Sequence, residues 1–285
     1  MEMPTARLGD AFCLTLITND AALAANADRA GVNRVGIDLE YLGKAERQAG
    51  QYTRLSRHDW DDLSRVSRSV DHADVFVRIN PIHAGTELEV ETALELGAEV
   101  LMLPSFRTAD EAARFVRAVR GRAWVSVLVE LAPAAVRIRE ILDVRGIDEV
   151  MIGLNDLYLQ LGVANHFEVL ASPLTDMLAA EVRRKGIPLA VGGVGRVGDT
   201  AMPVPTDLVY AQYPRLGATG AWLGRSFINA TSSPYDFTAS VRACRHRLNE
   251  WAASPVEDLE RARVELARHA GEWRHAGGRK SSSMA

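Results

Sequence analysis

The sequence predicts an α/β fold, a single (β/α)8 TIM barrel with extra C-terminal helices, on three observations. Eight short apolar, β-branched runs alternate with amphipathic helical patterns between Phe12 and Phe227. Most of the runs are nearly continuous in apolar residues, the mark of parallel strands covered on both faces. The turn after the first run, Thr18-Asn19-Asp20, lacks the glycines that an open dinucleotide-binding sheet would place there.

The strands are expected at residues 12–17, 34–39, 75–79, 100–103, 124–129, 149–152, 188–191 and 221–223. Between them, Val90, Ala93, Leu94 and Gly97 recur at i, i+3, i+4 and i+7 and form one packing face. Thr108 with Glu111 makes a capping box, and Ala112, Phe115, Val116 and Val119 follow at helical spacing. Gly97, Gly146 and Gly186 each close a helical pattern just before the next strand. The link 41–71 is long for its place and holds a polar stretch, 43–58, ahead of a helical 60–70. Residues 1–230 form the barrel in this reading. Residues 231–276 form an extension of two helices, split at Ser254-Pro255, that packs on the barrel or on a neighbouring subunit. Leu259, Val264 and Leu266 offer it apolar contacts, and Trp251 and Trp273 read as docking residues. The Gly/Ser/Lys-rich tail 277–285 is expected to be disordered.

Composition narrows the function. With 47% hydrophobic and 25% charged residues, the 285-residue chain can build a core without covalent staples. A formal net charge of −4 argues against a nucleic-acid partner. Cys13 and Cys244 are too few for a disulfide framework or a thiolate metal site, and Cys13 reads as a buried, inert thiol. Residues 1–10 carry no apolar leader, and no apolar run reaches the roughly 18 residues of a membrane span. A soluble, cytoplasmic protein is expected.

In this fold the chemistry sits where strands end. The second run ends Asp38-Leu39-Glu40 and the third Arg78-Ile79-Asn80. The fifth ends at Glu130, and the sixth leads into Asn155-Asp156. Charges capping apolar strands are costly unless they are paired or used. Glu130 and Asp156 come from neighbouring strands about 5 Å apart, so they repel unless a cation lies between them. A hard ion with oxygen ligands, Mg2+ or Mn2+, meets that need. The alternative is that Glu130 or Asp156 only caps the following helix, or pairs with Arg78. Arg78 itself reads either as an anion-holding guanidinium or as half of a structural ion pair with Glu40 or Glu130. The loops Gly192-Gly193-Val194-Gly195-Arg196 and Gly224-Arg225-Ser226 are either phosphate-binding or merely tight turns. The His residues, His58 and His83 among them, fall in loops and away from strand ends.

These motifs resemble a known family. Val77-Arg78-Ile79-Asn80-Pro81, Ala93 to Pro104 (ALELGAEVLMLP), Val129-Glu130 and Gly153-Leu154-Asn155-Asp156-Leu157 resemble the strand motifs of the HpcH/HpaI aldolase and citrate lyase β-subunit family. Asp38-Leu39-Glu40, with Lys44 and Arg47 beyond, is similar to its citrate-lyase branch. The resemblance implies a carbon–carbon lyase working next to a pyruvate-like enolate, on a 2-oxo acid or an acyl-CoA, in a trimeric or hexameric barrel. It implies Mg2+ ligands at Glu130 and Asp156 and a substrate-binding arginine at Arg78. It also implies an acidic residue at the mouth, Glu40, and further substrate contacts at Pro104, Ser105, Gly153, Leu154 and Asn155. Tyr41 stands where the branches carry His or Asp, which leaves Tyr41, Glu40 and a metal-bound water as acid/base candidates. No lysine ends a strand, which disfavours a Schiff base.

Overall fold

The structure, a computed structural model, describes residues 7–42, 58–224, 226–227 and 234–281. Eight parallel strands close into a barrel in chain order: β1 (Cys13–Ile17), β2 (Arg34–Asp38), β3 (Asp74–Arg78), β4 (Val100–Leu103), β5 (Trp124–Val129), β6 (Glu149–Ile152), β7 (Leu189–Val194) and β8 (Gly220–Leu223). The bounds of β4, β5 and β6 are those expected, β1, β2 and β8 differ by one residue at one end, and β3 is shifted by one residue. β7 alone runs on by three residues, to Val194, through an irregular pairing with β8 between Ala190 and Gly193.

The continuous apolar runs have a simple cause, because alternate residues face opposite sides of a strand. One set, including Leu14, Leu16, Val35, Ile37, Val127 and Val150, packs outward among the helices. The other set, Phe76, Val100, Met102, Leu128, Met151 and Ala190, fills the barrel interior as a separate cluster. Beneath that cluster, at the amino end, Arg34 of β2 meets Glu149 of β6 at 2.7 Å, and Ser126 Oγ donates to Glu149 at 2.9 Å. The pair joins opposite strands and closes the barrel floor, which leaves the carboxyl end as the open face.

Local signals in the sequence are realised. Thr108 accepts the Glu111 N–H, and the Glu111 side chain returns the bond, at the start of helix Ala109–Val119. Gly97 and Gly186 adopt φ of +94° and +68° directly after the caps of their helices, whereas Gly146, at +93°, lies in the turn before β6, beyond the Asp143 cap of helix Ile138–Leu142. The long second link contains helix Trp60–Ser67, opened by an Asp59–Asp62 capping box. Lys44 and Arg47 lie outside the described residues.

The two C-terminal helices, Pro234–Ala252 and Val256–Ser281, meet at the expected break. The first docks on this chain's own barrel through buried Phe237, Val241, Cys244 and Leu248. From it Arg245 donates to the carbonyls of Gly9, Phe12 and Gly31 and to Asn33 Oδ1. The second lies along helix His166–Leu170, with Asn165 Nδ2 donating to Ala270 O at 3.0 Å and Trp273 against the Phe167 ring. Trp251 donates to Asp207 Oδ1 at 3.2 Å, a docking contact within the chain. The second helix continues to Ser281, so the stretch from Gly277, expected to be disordered, is helical as far as that residue. Cys13 is partly exposed, not buried as expected, because it faces the barrel floor; burial still pushes its thiol up to about 11, which keeps it inert. Among the described residues, no helix is long and apolar enough to cross a membrane.

Candidate active site

Register brings the first two charges together. β2 and β3 align Asp38 with Arg78, the last residue of each strand. Arg78 Nε and Nη2 donate to the two Asp38 carboxylate oxygens at 2.8 and 2.6 Å, a side-on bidentate pair. Its Nη1 lies 3.3 Å from Glu40 Oε2. The Trp222 ring of β8 lies with its centroid 5.0 Å from Arg78 Cζ. Burial would lower the Arg78 pKa, but Asp38 and Glu40 more than reverse that, so the guanidinium stays charged.

Ser105, two residues past β4, ties the next two carboxylates. Its Oγ stands 2.9 Å from Glu40 Oε1 and 3.0 Å from Glu130 Oε1, and its N–H donates to Glu130 Oε1 at 3.0 Å. A hydroxyl has one proton, so it donates to one carboxylate at a time; the other contact needs a protonated carboxyl. Ser105 holds φ at +52°, a left-handed conformation that costs a non-glycine residue about 1 kcal/mol or more and that aims its hydroxyl and N–H at the same acid.

Glu130 follows β5 directly, and Asp156 lies in the first turn of helix Leu154–Leu161 after β6. Both are buried. Asp156 is not the helix cap, since that position is Gly153, which offers no side chain. A Cβ on Gly153 would meet Glu130 Cβ at 2.7 Å, so glycine there lets β6 pass close to the acid. Burial, and next the Glu40 charge, push the Glu130 carboxyl up to about 8, with Asp156 adding to the rise and Arg78 and the Ser105 bond opposing it.

Several expected contributors stand apart. Tyr41 is 69% exposed, and its backbone, not its phenol, is held, with the Tyr41 and Leu42 N–H groups donating to Asn80 Oδ1 at 3.0 Å. Asn80 in turn donates to Glu89, which meets His83 Nε2 at 3.0 Å. Asn155 is exposed, Pro104 is buried beside Ser105, and Leu154 packs in the core between β6 and Gly192. The glycine-rich loops after β7 and β8 meet where the Arg196 N–H donates to Ser226 Oγ at 3.0 Å; Arg225 lies outside the described residues. Two participants escaped the sequence reading. Trp222 is one, although the alternation Ala221-Trp222-Leu223 puts it on the inner face. His58 is the other: its Nδ1 accepts the Asp38 N–H at 3.0 Å, a link across 20 residues that no local signal announces.

Three carboxylates (Asp38, Glu40 and Glu130) thus act on one guanidinium, and the Asp156 charge acts on Glu130. Among the described residues no group of three or more His, Cys, Asp or Glu forms a ready metal cage. Glu130 and Asp156 together offer two carboxylates, the partial donor set that Mg2+ completes with water and substrate oxygens. Burial first, then the Glu40 and Asp156 charges, disfavour the ionised Glu130 carboxylate, and a cation relieves each of these, so the residues present fit the ion.

Comparison with known proteins decides the family. The family model of HpcH/HpaI aldolase/citrate lyase matches residues 12–188, more than half of the chain. The chain belongs to that family. An HpcH/HpaI aldolase from Desulfitobacterium hafniense DCB-2 is similar in structure at TM-score 0.57, with 17% identity over 80% of this chain and 92% of that one. A HpcH/HpaI aldolase/citrate lyase family protein from Burkholderia cenocepacia J2315 gives 0.58, with 19% identity over 85% and 95%. Citrate synthase SbnG gives 0.59, with 15% identity over 84% and 95%. At these identities the likenesses establish the barrel, and the family match makes the chain an enzyme of the lyase or aldolase kind. No curated protein matches the chain in sequence.

Proposed function

We propose that this HpcH/HpaI family member is a Mg2+-dependent carbon–carbon lyase that makes or breaks a bond next to the pyruvate-like enolate of a 2-oxo acid. The observation that carries the proposal is the cluster of buried carboxylates around Arg78, with Glu130 pushed up to about 8. Held by Glu130 and Asp156, Mg2+ or Mn2+ would supply a Lewis acid at the keto oxygen.

The chain's own residues have separable tasks. Arg78, locked by Asp38 and Glu40, keeps two N–H donors for the substrate carboxylate, and its positive charge attracts the developing negative charge, so its attraction grows towards the transition state. Ser105 orients Glu130 and Glu40 through one hydroxyl. In this reading Glu40 moves the proton, which its burial and its 2.9 Å contact with that hydroxyl support, whereas Tyr41 is exposed. Closing the far end of the barrel with Arg34 and Glu149 confines the chemistry to one face.

The test is deuterium exchange at C3 of pyruvate in D2O. Exchange is expected to require Mg2+, to vanish with a chelator, and to fall at least about a hundredfold in Glu130→Gln and in Asp156→Asn. Full exchange in both variants ends the proposal.

A further inference from the structure

The barrel mouth has two unlike halves. Strands β2 to β6 supply the charged half just described. On the other side β7 carries Gly192 and Gly193, without side chains, while β8 and β1 present Trp222 and Ile17. Those two are the partly exposed side chains packed on the interior cluster, whose other members are buried. Trp222 crosses the interior from β8: its ring meets Phe76 of β3 edge-on at 6.0 Å and lies 5.0 Å from Arg78 Cζ. The indole therefore separates the sealed core from the open mouth, directly beside the guanidinium.

Arg78 carries five N–H donors, and its contacts with Asp38 and Glu40 engage three. The remaining two, one on each terminal nitrogen, form a fork for a carboxylate lying in the guanidinium plane. The Trp222 ring lies beside those donors, 5.0 Å from Arg78 Cζ, with Gly193 of β7 level with Trp222 on the neighbouring strand, so the carbon chain of a carboxylate held there would meet the indole.

We propose that Trp222 sets substrate size, its indole walling the apolar half of the mouth so that a 2-oxo acid with a short, uncharged chain fits and longer chains do not. This rests on the lyase reading above and adds the substrate class to it. A chain longer by a few methylenes has to displace the indole, and one methylene in an apolar pocket already changes discrimination about tenfold or more.

The experiment compares wild type, Trp222→Ala and Trp222→Phe in C3 exchange on pyruvate, 2-oxobutanoate and 2-oxohexanoate with saturating Mg2+, separating kcat from KM. Trp222→Ala is expected to raise the kcat/KM ratio of 2-oxohexanoate to pyruvate about tenfold or more, chiefly through KM. Trp222→Phe should shift it in the same direction by less, and it carries the test alone if the alanine variant does not fold. A parallel loss on all three acids, with the ratio unchanged, overturns the proposal and leaves Trp222 a packing residue. If the wild type exchanges none of the acids, the lyase reading fails by itself. Calorimetric binding of pyruvate and 2-oxohexanoate to the same proteins then reads the size preference directly, and an unchanged ratio of affinities overturns it.

Discussion

Glu130 is the side chain on which the electrostatics of the site turn. Its carboxyl is raised from an ordinary 4.5 to about 8, first by burial and then by Glu40. Between those values the folded chain holds a proton that the unfolded chain has released. Glu130's contribution to stability is therefore complete below about 4.5 and is lost as pH rises through about 8. Melting temperatures of chelator-treated protein are expected to fall between roughly pH 5 and pH 8, and Glu130→Gln should flatten that slope, because an amide does not titrate. Equal slopes in the two proteins would show that the carboxyl titrates normally. Arg78 follows the opposite logic: two carboxylates hold its charge in place, so its role does not change with pH in this range.

At the scale of elements, the strands divide their labour by end. Carboxyl ends carry the carboxylates and the arginine of the candidate site, whereas the amino ends of β2 and β6 deliver Arg34 and Glu149, which neutralise one another inside the barrel. Removing one partner leaves the other buried and uncompensated, at a cost of about 3–5 kcal/mol. Glu149→Gln should lose stability of that order in urea denaturation, and replacing both residues by Met should recover most of it. A loss below about 1 kcal/mol in the single variant would mean that water reaches the pair. The second and third links are joined in a comparable way, Asn80 accepting two backbone N–H groups at the start of one and being held by Glu89 in the other.

Across the whole molecule, the first C-terminal helix completes the barrel. Arg245 gathers carbonyls from the segment before β1 and from the link between β1 and β2, and so ties both to the helix. Hydrogen bonds from a charged group contribute about 1.5–3 kcal/mol each at most, and several share this guanidinium. Arg245→Ala is expected to cost about 2 kcal/mol or more, read as a lower urea midpoint with the slope unchanged. A fall in the slope instead would report partial undocking of the helix.

What the sequence determined by itself is the barrel and the strand ends where the buried charges gather. Alternating faces, capping boxes such as Thr108–Glu111 and glycine stops such as Gly97 are local patterns, and local patterns survive in one dimension. Glu40, Arg78, Glu130 and Asp156 were legible for that reason, each standing at or just past a strand's carboxyl end. Only the tertiary structure decided which charges meet. Arg78 was expected against Glu40 or Glu130 but is clamped first by Asp38, because strand register sets those two level. Tyr41 stands next to Glu40 in sequence yet is exposed, because one residue turns a side chain from the inside of the mouth to the outside. Ser105 bridging two acids, and Trp222 reaching from β8 to β3, join residues far apart in the chain. The physical reason is that pairing energies depend on distance and burial after closure, and a linear pattern carries neither.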